Sequence, residues 1–361
     1  MKVINKTSEK FLYKYLNATS PTGFEWEGQK VWVNHIKQYV DEIHLDEYGT
    51  AYGVINPGQP YKVVIEAHAD EIAWYVNYIS EDGYINVIRN GGSDHIIAPS
   101  KRVNIHTPKG IVKGVFGWPA IHVRRGKDAN LSPKLENIFI DVGAADKKEV
   151  LKMGVHVGCV ITFEDELMKL NNRYYAGKAL DNKMGGFCIA EVAKLVKKGK
   201  KKLPFSLYVV NAVQEEIGLR GAEMIAERIK PDVAIITDVT HDTSSPMMKA
   251  NQNGDQKAGK GPVLTYAPAV HNKLIKLIEK TADKNKIPFQ RSASSRSTGT
   301  DTDAFAYSNM GVVSALISLP LKYMHTTVEM AHQEDIENVT LLIYHTLLAI
   351  KKNHDFKYFK Y

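Results

Sequence analysis

The spacing of apolar residues along the chain changes twice, and each change marks a different kind of structure. Around residues 7–17 and 26–40, apolar residues recur at steps of three and four, which predicts two amphipathic helices. The apolar run KVVIEAH at 62–68 then predicts a short buried strand. From about 71 to 170, short apolar runs alternate with Gly, Asn, Asp and Pro, so we expect a compact β domain in that stretch.

After about residue 178 the pattern becomes one of strands that alternate with helices. Strands are predicted at 205–213, 232–239 and 311–319, and helices at 182–199, 218–229, 271–285 and 334–353. Alternation of this kind implies a mostly parallel sheet with helices on both faces. The chain is therefore predicted to be an α/β protein into which a small β-barrel-like domain is inserted.

The formal net charge of the 361-residue chain is +7, which suggests attraction to anions. The excess comes largely from two lysine clusters, KKGKKK at 197–202 and KKNHDFKYFKY at 351–361. No recognisable nucleic-acid motif accompanies them, so we favour a solvated basic face over a nucleic-acid groove. We expect no nucleic acid among the partners.

Cysteine content and apolar segments indicate the compartment. Cys159 and Cys188 lie in apolar runs without a CxxC pairing, which argues against a disulfide scaffold and fits a reducing compartment. The first twenty residues lack the apolar block of a signal peptide. No segment reaches the roughly 18 uninterrupted apolar residues that a membrane span requires. We therefore expect a soluble, cytoplasmic protein that does not associate with membranes.

Acidic and imidazole side chains stand at the ends of several predicted strands and at the start of one helix. In open α/β sheets, functional groups collect outside the carboxyl ends of the strands, so these side chains are expected to meet at one rim. Each one alone has an ordinary explanation, such as helix capping or a surface turn, but that many at one edge are hard to explain separately. They are His68, Asp70, Asp181, Glu215, Glu216, Asp238 and His325.

So many carboxylates in one place would raise each other's pKa values and cost stability unless cations neutralise them. A ligand set of two imidazoles and three carboxylates suits two divalent metal ions, either zinc or, in its place, cobalt or manganese. One carboxylate would bridge the ions, which would polarise a carbonyl and lower the pKa of a bridging water. Within the adjacent pair Glu215 and Glu216, one carboxylate would ligate and its neighbour would serve as general base.

Five segments carry a resemblance to a known family. They resemble the signature segments of the tetrahedral di-metal aminopeptidases, which are the glutamyl, leucyl and deblocking aminopeptidases of peptidase family forty-two. The resemblance covers nearly the whole chain in the right order, and it implies a zinc-peptidase-like fold. The segments are AHADEIAW at 67–74, GKALDNKMGG at 177–186, VQEEIGLRGAE at 213–223, IITDV at 235–239 and LKYMHTTVEM at 321–330.

The resemblance implies a role for each of the five metal ligands. His68 and Asp238 would bind one ion, Glu216 and His325 would bind the other, and Asp181 would bridge the two. These assignments follow the positions of the family motifs in this sequence.

Two further residues receive roles from the same resemblance. Glu215 would be the general base and proton shuttle, and Asp70 would hold the imidazole of His68 in its ligating tautomer. The chain would then be a metal-dependent aminopeptidase that removes N-terminal residues from short peptides.

The family pattern also implies a division of labour between domains. Residues 1–70 and 170–361 would form the catalytic metallopeptidase domain, and residues 71–169 would form an inserted β domain that mediates dimerisation. Six dimers would close into a hollow tetrahedral dodecamer that admits peptides and excludes folded proteins. The segment GGSDHIIAPSKR at 91–102 is expected near the active site of a partner subunit.

The sequence departs from the family pattern at several positions near the proposed site. Thr326 and Thr327 replace a usual Ser-Pro, Thr302 and Asp303 replace smaller residues, and Ala73 replaces a common Gly. None of them is a proposed ligand. Asp303 would alter selectivity if the loop that carries it lies near the substrate.

The sequence leaves the preferred N-terminal residue of the substrate, the physiological metal and the number of subunits open. A pocket for an acidic residue would need a cation, for which Arg220 and Arg291 are the candidates.

Two other classes of function are consistent with parts of the pattern. A related di-metal amide hydrolase, such as a carboxypeptidase or a deacylase, would use the same core chemistry. A non-catalytic assembly that kept the fold is the second alternative, although the complete ligand set and Glu215 argue against it. The endoglucanase label that some relatives carry ranks last, because the site lacks the two-carboxylate arrangement of glycosidases.

Overall fold

A computed structural model describes residues 2–126, 130–199 and 201–359 of the chain. Lys200, Lys360 and Tyr361, which belong to the two lysine clusters, lie outside the described residues. The helices are α1 Lys6–Asn17, α2 Trp26–Ile36, α3 Lys147–Lys152, α4 Leu180–Lys198, α5 Arg220–Ile229, α6 Ala250–Asn253, α7 Asn272–Asn285, α8 Asp301–Ala306 and α9 Gln333–Ala349, with a 3₁₀ turn at Ile121–Val123.

The strands belong either to a large sheet or to a closed barrel. The strands of the sheet are β1 Glu42–Leu45, β2 Ala51–Ile55, β3 Lys62–His68, β10 Met168–Leu170, β11 Tyr174–Gly177, β12 Ser206–Ala212, β13 Val233–His241, β14 Val263–Tyr266, β15 Gln290–Ala293, β16 Val313–Lys322 and β17 Glu329–His332. The strands of the barrel are β4 Ala73–Ile79, β5 Ile85–Asn90, β6 Arg102–Thr107, β7 Gly110–Gly117, β8 Phe139–Asp141 and β9 Val160–Phe163.

The sheet has a parallel centre and antiparallel edges. Its strand order is β1-β2-β12-β3-β13-β16-β17-β11-β10, and β14 pairs with β16 and β15. The neighbours β12, β3, β13 and β16 run parallel, in a register that sets His68 beside Ala212 and Asp238 beside Ser318. Because parallel strands end on the same edge, residues at their carboxyl ends are brought together. The predicted α/β class with an inserted β-barrel-like domain is confirmed.

Helices cover both faces of the parallel centre. Successive residues of β3 point in opposite directions, and Ala67 lies against Gly185 of α4 whereas Glu66 contacts Asp301 of α8. The central strands β3 and β12 are buried on both faces, as the continuous apolar composition of parallel strands requires. The predicted helix at 26–40 ends at Ile36. No helix in the described ranges has the length and apolar character to cross a membrane.

The barrel has a core of its own. Its strands close in the order β4-β5-β8-β7-β6-β9. Trp74 is fully buried inside it, with its ring centroid 5.7 Å from that of Phe116 and 6.5 Å from that of Phe163. The barrel follows β3 directly, so its first strand begins five residues after His68. This short connection keeps the barrel beside the rim of the sheet.

Candidate metal centre

The candidate ligands come from separate elements and meet at the carboxyl edge of the parallel strands. His68 is the last residue of β3, Asp238 lies near the end of β13, and Asp181 lies in the first turn of α4. Glu216 lies in the turn between β12 and α5, and His325 in the loop between β16 and β17. The side chains of all these ligands except His325 are at least nine-tenths buried. The peptide bond between Asp181 and Asn182 is cis.

Asp181 lies between the two histidines. Its Oδ1 atom is 3.2 Å from His68 Nε2, and its Oδ2 atom is 3.3 Å from His325 Nε2. Each oxygen of one carboxylate therefore faces a different imidazole. This is the arrangement that a bridging ligand requires.

The remaining acids complete two sets of donor atoms around Asp181. His68 Nε2 is 3.7 Å from Asp238 Oδ1, and His325 Nε2 is 3.4 Å from Glu216 Oε2. Glu215 Oε2 lies 3.9 Å from His68 Nε2. Three groups of side chains each have donor atoms that all lie within 4.8 Å of one another. The described part of the chain contains no other group of this kind. The three groups are His68 with Asp181 and Asp238, His68 with Glu215 and Glu216, and Asp181 with Glu216 and His325.

Asp70 contacts more of the site than the sequence predicts. Its Oδ1 atom lies 3.2 Å from His68 Nδ1, the contact expected of a residue that orients this imidazole. The same carboxylate also accepts hydrogen bonds from the backbone N–H groups of Glu215 and Glu216, at 3.0 and 3.2 Å. Thr22 donates a further hydrogen bond to it from its hydroxyl at 2.9 Å. Asp70 therefore fixes the glutamate pair relative to His68.

Glu329 is a residue of this site that the sequence analysis does not identify. Its Oε1 atom accepts the backbone N–H of His325 at 2.8 Å, and its Oε2 atom accepts the backbone N–H of Asp181 at 3.1 Å. The side chain is buried. Glu329 thereby fixes the backbones of two candidate ligands, His325 and Asp181, relative to each other. It stands four residues after His325 inside the segment LKYMHTTVEM, and this spacing is the only signal for it in the sequence.

The crowding of carboxylates is reflected in their pKa values. Burial, with the charges of Asp301, Asp181 and Asp70, raises the pKa of Glu215 to about 8, although His68 opposes the rise. Burial and the charge of Asp181 likewise raise the pKa values of Glu216 and Asp238 well above their usual range.

Asp181 behaves differently because both histidines contact it. Burial alone would raise its pKa, but hydrogen bonds from His325 and His68 outweigh burial and lower the pKa below its usual range. The same contact with Asp181 raises the pKa of His325. Contact with both imidazoles therefore favours the ionised form of Asp181, whereas burial favours the neutral forms of Glu216 and Asp238.

The residues fit a pair of divalent cations. The donor atoms lie close enough to share an ion, and they are carboxylate oxygens and imidazole nitrogens, which suit zinc, cobalt and manganese. Buried carboxylates in excess of nearby cationic side chains need positive charge to ionise together. Two divalent cations held by this set would supply that charge.

A second acidic pair lies beneath the site and was not identified from the sequence. Glu66 and Asp301 are fully or almost fully buried, and all four of their carboxyl oxygens are buried without another hydrogen-bond partner among the described residues. Burial raises the pKa of Glu66 to about 8, which favours a proton held between the two carboxyl groups. The sequence gives only a weak signal for this pair, because a single acidic residue such as Glu66 inside an apolar strand does not by itself indicate a partner.

The residues expected to influence selectivity have other partners. Arg220 forms an ion pair with Glu223 at 3.1 Å, and Arg291 pairs with Glu279 at 2.8 Å and covers the ring of Phe289. Neither contact involves the candidate ligands. Arg291 does line a cavity of about 670 Å³ beyond the end of β13.

The departures near α8 and the His325 loop also have structural partners. Asp303 accepts hydrogen bonds from the backbone N–H groups of Thr298 and Gly299, so its carboxylate stabilises its own loop. Thr302 is buried and hydrogen-bonds Thr300. Thr327 accepts a hydrogen bond from Lys101 of the barrel.

Part of the segment 91–102 lies at this chain's own site. Gly91 packs against Glu216, and Gly92 packs against the ring of His325. These two glycines contact their own chain, and the expectation that the segment also lies near the site of a partner subunit stays a prediction.

Comparison with known proteins identifies close relatives. Residues 49–342 match the family described as M42 glutamyl aminopeptidase. The chain is 33% identical over 350 residues to the lysyl aminopeptidase of Pyrococcus furiosus, which covers 95% of this chain and 97% of the relative.

Solved structures give the same result for the fold. The TET aminopeptidase from a marine sediment member of the Thaumarchaeota superposes with a TM-score of 0.89 at 28% identity, over 94% of this chain and 96% of that one. The Pyrococcus horikoshii TET1 peptidase, which can assemble into a tetrahedron or a large octahedral shell, superposes with a TM-score of 0.82 at 27% identity, over 95% of this chain and 99% of that one.

Proposed function

The chain belongs to the M42 glutamyl aminopeptidase family and is a hydrolase, and we propose that it removes the N-terminal residue from short peptides with the help of two divalent cations. The ligands of one cation would be His68 and Asp238, and those of the other Glu216 and His325. Asp181 would be shared by both. Zinc or cobalt suits this set best, and manganese is the alternative.

One observation carries the proposal. The two oxygens of Asp181 face two different imidazoles, at 3.2 and 3.3 Å, so a single carboxylate belongs to both sets of donor atoms. Bound cations would polarise the scissile carbonyl and make a water molecule more acidic. The chain's own residues have to hold the ligands in place and move the protons.

Glu215 is the residue proposed to move protons. Its oxygen lies 3.9 Å from His68 Nε2, within the group of donor atoms, while its neighbour Glu216 faces His325. Asp70 accepts the backbone N–H groups of both glutamates, so the backbone from which the two side chains extend is held in place. Glu215 would take a proton from the attacking water and deliver it to the leaving amine.

The reaction class is tested with a substrate panel. We expect the purified enzyme to cleave aminoacyl-p-nitroanilides with a free amino group and to leave N-acyl derivatives intact. Chelation should abolish the activity, and zinc, cobalt or manganese added back one at a time should restore it to different extents. Steady-state rates measured across the panel check this expectation. Exclusive cleavage of N-acyl compounds, or of C-terminal residues, would contradict it in favour of a deacylase or a carboxypeptidase.

We also propose that the chain forms a homo-oligomer in which the barrel mediates dimerisation. The barrel segment exposes several large apolar side chains, which a protein interface would bury. They are Ile88, Ile111, Val115, Ile121 and Val123. Six such dimers would give a tetrahedral dodecamer, and the reported assembly of the TET1 peptidase supports this arrangement.

Replacing Ile111 with glutamate should break the oligomer into smaller species, because a buried charge without a partner is strongly destabilising at an interface. Light scattering coupled to size-exclusion chromatography gives the molar mass. Met310, which is fully exposed in the catalytic domain, provides the control as Met310→Glu. A wild-type chain that runs as a monomer would refute the proposed assembly.

A further inference from the structure

The loop that carries His325 has an unusual backbone. Tyr323 and His325 have φ angles of 58° and 60°, in the left-handed region that residues other than glycine rarely adopt. Such conformations persist only when the surrounding structure holds them. Within the catalytic domain, Glu329 contributes by accepting the N–H of His325. Further contacts come from the barrel.

Gly92, two residues after β5 of the barrel, lies directly against the imidazole. A methyl group on its Cα would fall 2.5 Å from His325 Nδ1 and 2.6 Å from Cε1. The opposite nitrogen, Nε2, faces Asp181 and Glu216 at 3.3 and 3.4 Å. Gly92 therefore contacts the side of the ring that points away from the proposed cation.

The residue before it packs against the second ligand of the same cation. Gly91 has a φ of +79°, and a Cβ there would lie 3.1 Å from the Cβ of Glu216. The two glycines thus bring the barrel backbone against both His325 and Glu216. A larger residue at either position would displace one of these side chains.

A separate contact holds the far side of the His325 loop. Lys101, just before β6, donates a hydrogen bond from Nζ to the hydroxyl of Thr327, and Asp165 lies 3.1 Å from the same ammonium group. Thr327 is buried. A proline at this position would provide no hydroxyl to accept the bond, so the contact depends on the threonine of this chain.

We propose that the barrel supports the metal centre without supplying a ligand. In this proposal, Gly92 and the Lys101–Thr327 contact hold His325 in its ligating position. Gly92 is a positioning residue, because it acts on the cation through the imidazole. This inference rests on the proposed function, since it takes His325 to be a metal ligand. It assigns the inserted domain a role in each active site, apart from any role in assembly.

Gly92→Ala tests the inference. Gly92 has no positive φ, so alanine fits its backbone and the new methyl group clashes only with the ring of His325. We expect the affinity for one of the two cations to fall by about 10–100-fold, as when a partner of a metal ligand is lost. Isothermal titration of the metal-free protein with zinc or cobalt measures the two affinities separately. The other cation should bind as in the wild type.

The matched control is Gly117→Ala at the end of β7. Its methyl group would lie 2.7 Å from the ring of Phe139, so it crowds an aromatic side chain of the barrel but not the metal centre. Both metal affinities should remain unchanged in this variant. A loss equal to that of Gly92→Ala would mean that damage to the barrel, rather than contact with His325, weakens binding, and the inference would fail.

A double-mutant cycle with His325→Ala separates positioning from a general structural effect. If Gly92 acts through the imidazole, Gly92→Ala should cause no further loss of affinity once the ring is absent. An equal loss in both backgrounds would overturn the inference. If His325→Ala itself retained both cations at wild-type affinity, the proposed ligand set would be wrong. If it lost one cation while Gly92→Ala bound both normally, only the inference about the barrel would fail.

Thr327→Val provides an independent test if Gly92→Ala does not fold. Valine keeps the shape of the side chain and removes the hydroxyl that accepts from Lys101. We expect the same cation to bind several-fold more weakly, about 3–10-fold, because the loop loses its hydrogen bond to Lys101 of the barrel. Unchanged affinity for both cations in a folded Thr327→Val would overturn the role given to this contact.

Discussion

Replacing Glu215 with glutamine is expected to lower kcat by about 10²–10⁴-fold, the usual contribution of a general base, while both cations remain bound. Glutamine has nearly the same size and leaves the backbone N–H groups of residues 215 and 216 free to bond Asp70 as before. It cannot take up a proton from the attacking water. The change therefore removes the proposed chemistry and keeps the geometry.

The neighbouring residue provides the sharpest comparison for this variant. Glu216→Gln is the same substitution one position along, but Glu216 faces His325 at 3.4 Å and is proposed to bind a cation. We expect it to weaken that cation, whereas Glu215→Gln should leave the metal content unchanged. Glu223→Gln on the exposed surface of α5 controls for the loss of a negative charge.

Steady-state kinetics together with elemental analysis of the dialysed protein distinguish the outcomes. A Glu215→Gln enzyme that turns over at the wild-type rate would refute the assignment of the base. Loss of metal from this variant would mean that Glu215 is itself a ligand. Its distance of 3.9 Å from His68 Nε2 is short enough for that second role to need testing.

The parallel core and its rim could be predicted from the sequence because both follow from local patterns. The strand KVVIEAH has the predicted bounds, Lys62–His68, since a fully buried parallel strand is a continuous apolar run. The ends of such strands necessarily share an edge. His68 and Asp238 could therefore be expected at one rim from the sequence alone.

The edges of the sheet were not predicted, for an equally physical reason. β10 has three residues, Met168–Leu170, and is largely exposed, while β14 and β15 have four residues each. Strands this short show too few alternations to differ from a loop. Their pairing is set by neighbours distant in the chain, as when β11 pairs with β17, and local periodicity does not contain that information.

The residues that support the site were missed for a related reason. Glu329 and Gly92 act through backbone contacts, one with the N–H of His325 and the other with its ring. Glu329 has a carboxylate but stands at the start of β17 and not at the end of a predicted strand, and Gly92 has no side chain. Gly92 belongs to the barrel, whose sequence predicted only a compact β domain. Its position against His325 depends on how the two parts of the chain pack together.

Asp181→Asn is expected to have the largest effect of any single substitution in the site, because Asp181 is the only carboxylate proposed to contact both cations. Asparagine offers one neutral oxygen, so at least one of the two imidazoles would face an amide N–H₂ group in its place. We expect both cations to bind more weakly and turnover to fall by on the order of 10⁴-fold or more, since the contributions of both cations to the reaction are lost.

Metal titration of this variant distinguishes a bridge from an ordinary ligand. A bridging carboxylate predicts that both affinities fall together, whereas loss of a single cation would show that Asp181 serves only His68 or only His325. Asp146→Asn is the matched control, because Asp146 caps the start of α3 by accepting the N–H of Glu149, and asparagine caps a helix equally well. It should bind metal and turn over as the wild type does. A fall in both affinities in Asp181→Asn with none in Asp146→Asn is the result expected of a carboxylate shared by two cations.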